Sequence, residues 1–290
     1  MKKLSFIQRN NERHWVGDGF PVRSIFSYND IAQEMSPFLL LDYAGPRDFS
    51  PTTQKRGVGE HPHRGFETVT IVYEGEVEHR DSSGGGGKIG RGDVQWMTAA
   101  SGLVHEEFHG TEYARRGGPF EMVQLWVNLP RKNKMDKPGY QGITQDQIPS
   151  VALAQDAGVV RVIAGEYGNA KGPARTLSPM NVWDVRLNAG HKTEFVVPDG
   201  WTTSAFVLKG SIRLQGGERV GEAELAILER AGDKFSFEAL EETTLLFLNG
   251  KPLNEPIVGY GPFVMNTEAE IGQAFIDFQN GKMGRLGRGA

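Results

Sequence analysis

Short runs of Val, Ile, Thr, Phe and Trp recur along this chain, punctuated by Gly, Pro, Asp or Asn. The clearest are Thr68–Tyr73, Val94–Thr98, Glu121–Val127, Val159–Ala164, Val182–Leu187, Ala205–Leu208, Glu224–Leu228 and Thr243–Leu248. Closely spaced short strands with turn residues between them predict an all-β fold of the sandwich or barrel kind. A helical period enters only near the C-terminus. Thr267-Glu268-Ala269-Glu270 reads as a capping box, Thr at N-cap and Glu at N3. Ile271, Ala274, Phe275 and Phe278 follow as one apolar stripe. Gly281 is the expected stop, and the glycine-rich, basic Arg285–Ala290 is expected to fray.

The strand pattern repeats. Ile71–Val77 is strand, Gly75 turn and new strand, with Gly92-Asp93-Val94 further on; Phe206–Ile212 repeats it around Gly210, with Gly232-Asp233-Lys234 after it. Two β-domains of similar design are expected. They would join near Pro130–Pro149, where three prolines and Lys132, Lys134 and Lys137 give a linker composition.

Composition narrows the chemistry more than the fold. Cysteine is absent, which excludes disulfide frameworks, thiolate metal sites and Cys nucleophiles, and fits a reducing cytoplasm. A net charge of −4 gives no sign of a polyanion partner, so direct nucleic-acid binding is not expected. No apolar run approaches the ~18 residues of a membrane helix, and the start Met1–Arg9 lacks the apolar core of a signal peptide. A cytoplasmic protein without membrane contact is expected. Ser82–Lys88 resembles a phosphate loop, but Ile89 stands where Ser or Thr is needed and strands flank it; a hairpin loop is the expectation.

The histidines are informative. In His61-Pro62-His63 both imidazoles share one face of a strand, and Pro62, which cannot donate to a ladder, suggests a strand start or edge. Glu67 has the same parity. In Leu103–His109, an extended chain puts Leu103, His105, Glu107 and His109 on one face and Glu106 on the other. Two imidazoles from one strand with an imidazole and a carboxylate from another could close a four-ligand site. Such donors suit first-row divalent metals and leave open positions on an octahedral ion. Four of the seven histidines fall in these two clusters of matching parity, so unrelated polar faces explain the pattern poorly.

Gly59–Val69 with Glu74-Gly75, then Gly92–Ala99 and Gly102–Glu107, together resemble the pirin family of bicupins, and Tyr260–Thr267 is similar to that family's C-terminal signature. The resemblance runs from about Val22 to Gly281. It implies two tandem cupin (jelly-roll type) β-barrels with a short C-terminal helix: a metal-binding barrel over residues 1–135 and, over 136–290, a second barrel without a metal site that ends in the helix. The family's ligands fall on His61, His63, His105 and Glu107, leaving Glu67 and His109 as supporting or structural candidates. Measured from Gly210 and Gly232, the corresponding positions of the second half are Val196, Pro198, Leu245 and Phe247, all apolar.

The resemblance further implies one divalent ion per chain, iron first, with Mn, Ni, Co, Cu or Zn as alternatives. Bacterial members are associated with quercetin 2,3-dioxygenase activity, which opens a flavonol with O₂ and releases CO. Glu107 would then be both ligand and general base for the flavonol 3-hydroxyl. Phe66, Trp96, Met97 and Phe120 are candidate walls for a flat aromatic ligand, or simply barrel core. Eukaryotic members are iron-binding transcription cofactors, so the rival expectation is a regulator acting on a protein partner through surface residues such as Lys55, Arg56, Arg115 and Arg116. A monomer is expected.

Overall fold

The computed structural model describes residues 1–287; Arg288, Gly289 and Ala290 of the expected tail lie outside the described residues. The chain forms two compact units that are not contiguous halves. One takes Glu12–Gln33, Phe38–Gln145 and the chain from Asn254; the other takes Met1–Asn11, Glu34–Pro37 and Asp146–Leu253. The division therefore departs from 1–135 and 136–290.

In the first unit the strands are β1 (His14–Val16), β2 (Phe20–Phe26), β3 (Phe38–Phe49), β4 (Gly57–His63), β5 (Phe66–Glu74), β6 (Glu76–Asp81), β7 (Gly86–Gly90), β8 (Val94–Thr98), β9 (Leu103–His109), β10 (Gly118–Asn128) and β11 (Gly139–Ile143). They make a seven-stranded sheet, β11-β8-β5-β10-β3-β2-β1, and a four-stranded sheet, β4-β9-β6-β7. This is the all-β barrel that the strand pattern predicts, in the jelly-roll form that the resemblance implies. The expected strands Thr68–Tyr73, Val94–Thr98 and Glu121–Val127 all lie within its strands. The second unit repeats the design. Leu4–Arg9, Glu224–Leu228, Thr202–Lys209, Thr243–Gly250, Met180–Leu187, Gly158–Ala164 and Ser150–Ala152 form one sheet; Lys192–Val196, Lys234–Ala239, Ile212–Leu214 and Arg219–Val220 form the other.

The two chain ends explain the shifted division. The seven-stranded sheet of each unit needs a strand against its outer edge, because an open edge exposes unpaired backbone groups. In the second unit that strand is Leu4–Arg9, antiparallel to Glu224–Leu228; in the first it is β11, paired with β8 and drawn from the stretch whose composition suggested a linker. The C-terminal helix, Glu268–Gln279, belongs to the first unit. Thr267 Oγ1 accepts from the Glu270 N–H at 3.2 Å, as the capping box expects, whereas the Glu270 side chain reaches one residue further back and accepts from the Asn266 N–H at 3.0 Å. Ile271 and Ala274 pack with Val104, Phe263 and Met265. Asp277 anchors the helix by an ion pair with Arg64 at 2.9 Å, and hydrogen bonds from Lys282, then Arg64 and Gln273, hold its carboxyl well below the usual range. Among the described residues no helix is long and apolar enough to cross a membrane.

Strand topology corrects the repeat. By sheet position, β8 corresponds to Glu224–Leu228 and β9 to Lys234–Ala239. Gly232-Asp233 therefore precedes the partner of β9, not of β8, and is not the counterpart of Gly92-Asp93. Since His105 pairs with His61, and Phe235 with Phe195, the counterparts of His61, His63, His105 and Glu107 are Phe195, Val197, Phe235 and Phe237. Val196 is 68% exposed, and Leu245 and Phe247 lie on a strand of the other sheet. The assigned positions were wrong, yet the corrected set is just as apolar: all four belong to one buried cluster with Leu214 and Trp183.

Candidate metal centre

His61 and His63 lie on β4, which the four-stranded sheet uses as an edge, as Pro62 requires. The turn after His63 is sharp. Gly65 adopts φ +92°, and a Cβ there would stand 2.0 Å from the Val264 carbonyl oxygen, so only glycine fits. That turn separates β4 from β5 and breaks the parity that seemed to join Glu67 to His63. Glu67 faces away from Thr70 on β5, where Thr98 donates to it at 2.7 Å. Burial pushes the Glu67 carboxyl up to about 7.

β9 places His105 opposite His61 on β4 and Glu107 opposite His79 on β6. Glu106 faces the other way and pairs with Arg80 at 2.5 Å, as the period-two reading expects. The ligand atoms of His61, His63 and His105 lie within 4.8 Å of one another; those of His79, His105 and Glu107 form a second such group. His105 is common to both.

Hydrogen bonding decides between them. His61 Nδ1 donates to the Gly59 carbonyl at 2.8 Å, and His63 Nδ1 to the Pro262 carbonyl at 3.3 Å. His79 Nε2 donates to Asp81 Oδ2 at 3.2 Å, which leaves His79 Nδ1 to accept from His105 Nδ1 at 3.3 Å. His105 Nε2 is buried and has no partner. The lone pairs of His61, His63 and His105 therefore all sit on Nε2, whereas His79 and His105 spend their Nδ1 atoms on each other. Ligating imidazoles characteristically give their second N–H to a carbonyl or carboxylate in this way. Burial, then repulsion among the clustered rings, holds His63 and His105 well below the ordinary histidine pKa, so both are neutral and able to ligate.

Asp81 anchors the chain of bonds. Burial would raise its pKa, but hydrogen bonds from His79, Ser83 and Gly85 hold it at about 2. Its Oδ1 accepts from the Ser83 and Gly85 amides, so the loop that resembled a phosphate site is the tight connection of the β6–β7 hairpin. Glu107 Oε1 accepts from Gln95 Nε2 at 2.5 Å, with Thr70 Oγ1 beside it at 3.5 Å. Its Oε2 remains for an ion or a ligand proton. His109 is structural: its Nε2 donates to the Gly19 carbonyl at 2.8 Å, and its ring stacks on Phe120 at 4.7 Å.

The cluster heads a cavity of about 390 Å³ lined by His61, His63, Glu107, Phe20, Val22, Met122 and Trp126, with Asp42 and Gln124 as further polar lining. That is an ordinary size for a small-molecule site. None of the four aromatic and Met side chains expected as walls lines it. Phe66 stacks behind Trp126 at 4.2 Å, Phe120 packs in the core below, Met97 packs with Leu103 and Tyr140, and Trp96 faces away with Glu67. A wider concavity of about 610 Å³ is lined by Lys55, Arg80, Lys88, Glu106 and Arg115. Its charges are largely paired, Arg80 with Glu106 and Lys88 with Glu76. Sequence reasoning passed over His79 and Asp81, although their i, i+2 spacing carried the same signal as His61 and His63. It also missed Tyr140, which stacks on His79 at 5.0 Å from β11.

Comparison with known proteins agrees with this architecture. The Pirin family model matches residues 19–127, and the Pirin C-terminal cupin domain model matches residues 182–284. A Pseudomonas aeruginosa protein named "Putative quercetin 2,3-dioxygenase" is 58% identical over 97% of this chain and 98% of its own length. The human protein named pirin is 36% identical over 97% of this chain and 93% of its own. The crystal structure of quercetin 2,3-dioxygenase from Acinetobacter baumannii, 57% identical, superposes with a TM-score of 0.96 over 99% of this chain and 100% of that one. With both of its cupin domains matched and its two-barrel architecture shared with these relatives, this chain belongs to the pirin family.

Proposed function

We propose that this protein is a metal-dependent dioxygenase that cleaves a flavonol such as quercetin with O₂ and releases CO. The observation that carries the reading is the set of three Nε2 lone pairs, on His61, His63 and His105, converging beside the unspent Oε2 of Glu107 at the head of an apolar cavity. One divalent ion, iron first, would be held by these four residues, and its charge would lower the pKa of a hydroxyl bound to it. Glu107 takes the 3-hydroxyl proton of the flavonol on Oε2. Gln95 keeps its other oxygen fixed, so the base does not rotate away. Phe20, Val22, Met122 and Trp126 hold the flat rings and exclude water. The activity carried in the names of the Pseudomonas and Acinetobacter relatives accords with this reading.

The test is turnover of quercetin in air by protein loaded separately with Fe, Mn, Ni, Co and Cu. Loss of the flavonol absorbance should be matched by CO release. No turnover with any of these ions would overturn the enzymatic reading and turn attention to a regulator that meets a protein partner.

A further inference from the structure

Inside the seven-stranded sheet, polarity runs across the strands. Ser24 pairs with Asp42, Asp42 with Gln124, Gln124 with Thr70 and Thr70 with Gln95, one register row over five adjacent strands. The neighbouring row on the same face, Val22, Ala44, Met122 and Val72, is wholly apolar. A polar row in a barrel interior costs free energy unless its members find partners.

The bonds within the row have a direction. Gln95 Nε2 donates to Thr70 Oγ1 at 3.0 Å as well as to Glu107, and the Thr70 hydroxyl donates to Gln124 Oε1 at 2.6 Å. The carbonyl of the Gln124 amide is thereby occupied, and its NH₂ is left as a donor on the cavity wall. Beside it, Asp42 Oδ1 accepts from Ser24 Oγ at 2.5 Å, which leaves Oδ2 as an acceptor on the same wall. A donor and an acceptor on adjacent strands match the two hydrogen-bonding roles of one hydroxyl.

We propose that Gln124 and Asp42 are a hydroxyl-reading pair, which receives a phenolic hydroxyl of an aromatic ligand at the end remote from the His–Glu cluster. The hydroxyl accepts from Gln124 Nε2 and donates to Asp42. A hydroxyl held between Gln124 and Asp42 stands between one and two strands from Thr70, roughly 5–10 Å at ordinary strand spacing, and Thr70 Oγ1 lies 3.5 Å from Glu107 Oε1. The upper part of that span suits a polyhydroxylated aromatic of two or three rings. The inference rests on the reading that the ligand's reacting oxygen sits at the cluster.

Anaerobic binding tests the pair without requiring turnover. Quercetin and 3-hydroxyflavone share the 3-hydroxyl and 4-carbonyl, and only quercetin carries further hydroxyls. Both would be titrated into metal-loaded protein, following the quenching of intrinsic tryptophan fluorescence, to which Trp126 on the cavity wall contributes. Apolar burial alone favours 3-hydroxyflavone, so a preference for quercetin identifies polar recognition. The wild type should prefer quercetin by roughly 10–100-fold, since unpaired buried polar groups penalise the ligand lacking the hydroxyl. Asp42→Leu and Gln124→Leu should bring the ratio close to one, mainly by weakening quercetin. Asp42→Asn keeps the shape and should reduce the ratio in the same direction; it decides the matter if Asp42→Leu does not fold. A wild type without preference, or an unchanged ratio in folded Asp42→Asn and Gln124→Leu, would overturn the pair. A preserved preference together with no turnover in air supports the pair and removes only the oxygenase reading.

Discussion

His105 Nδ1 donates to His79 Nδ1 across 3.3 Å, and Asp81 behind His79 fixes which of the two nitrogens carries the proton. The consequence is that the lone pair of His105 is on Nε2, beside His61 and His63. His79→Leu removes the acceptor and frees the His105 ring to change tautomer. Metal affinity, measured by competition with a chelator, should fall roughly 10–100-fold with the far-UV circular dichroism unchanged. His79→Asn offers an oxygen acceptor near the same place and should recover part of the loss. Equal affinities in all three proteins would mean that His105 needs no such fixing.

Metal content should approach one ion per chain and not two. The counterparts of the cluster in the second unit are Phe195, Val197, Phe235 and Phe237, with Leu214 in place of His79. Elemental analysis of gently purified protein measures the ratio. A second tightly bound ion would require ligands that this apolar core does not offer.

Glu107→Gln keeps shape and one oxygen donor but loses charge and basicity. Quercetin turnover should fall by roughly 10²–10⁴-fold, the usual cost of a lost general base, with metal largely retained. Glu106→Gln is the matched control, because that carboxylate points to the other face and pairs with Arg80. Similar losses at both positions would contradict the strand register of β9; full activity in Glu107→Gln would remove it as the base.

Glu67 predicts a pH dependence of stability. Its carboxyl titrates near 7 in the folded protein, against 4.5 for an ordinary glutamate. Between those values the native state holds a proton that the unfolded chain has released. The stabilisation is complete below pH 4.5, is lost as the pH rises toward 7, and changes by at most about 1.4 kcal/mol per pH unit. Glu67→Gln cannot ionise, so its stability relative to wild type should increase across that window and level off above it. Urea unfolding of both proteins at pH 5, 6, 7 and 8 reads the difference; opposing slopes from His63 and His105 are common to both and cancel. A difference that stays constant with pH would show that Glu67 is ionised when buried.

The sequence by itself determined the local half of this protein. The strands, the capping box at Thr267 and the shared face of His105 and Glu107 follow from chain geometry over a few residues, where a period of two or 3.6 leaves little choice. The edge position of β4 was legible because proline cannot donate. Tertiary structure decided everything that depends on which strand lies beside which. A period fixes the face a side chain takes on its own strand, but it carries no information about the neighbour, however far away in the chain that neighbour lies. For that reason Glu67 looked like a companion of His63 until the Gly65 turn separated them, and Gly232-Asp233 looked like the repeat of Gly92-Asp93 although it opens a different strand. Leu4–Arg9 completes the sheet of the second unit and the helix at Glu268–Gln279 completes the first, since edges and apolar faces are covered by whichever segment can reach them. The bonds linking Asp81, His79 and His105, and the polar row from Ser24 to Gln95, exist only through cross-strand register, and register is set by the packing of the whole barrel.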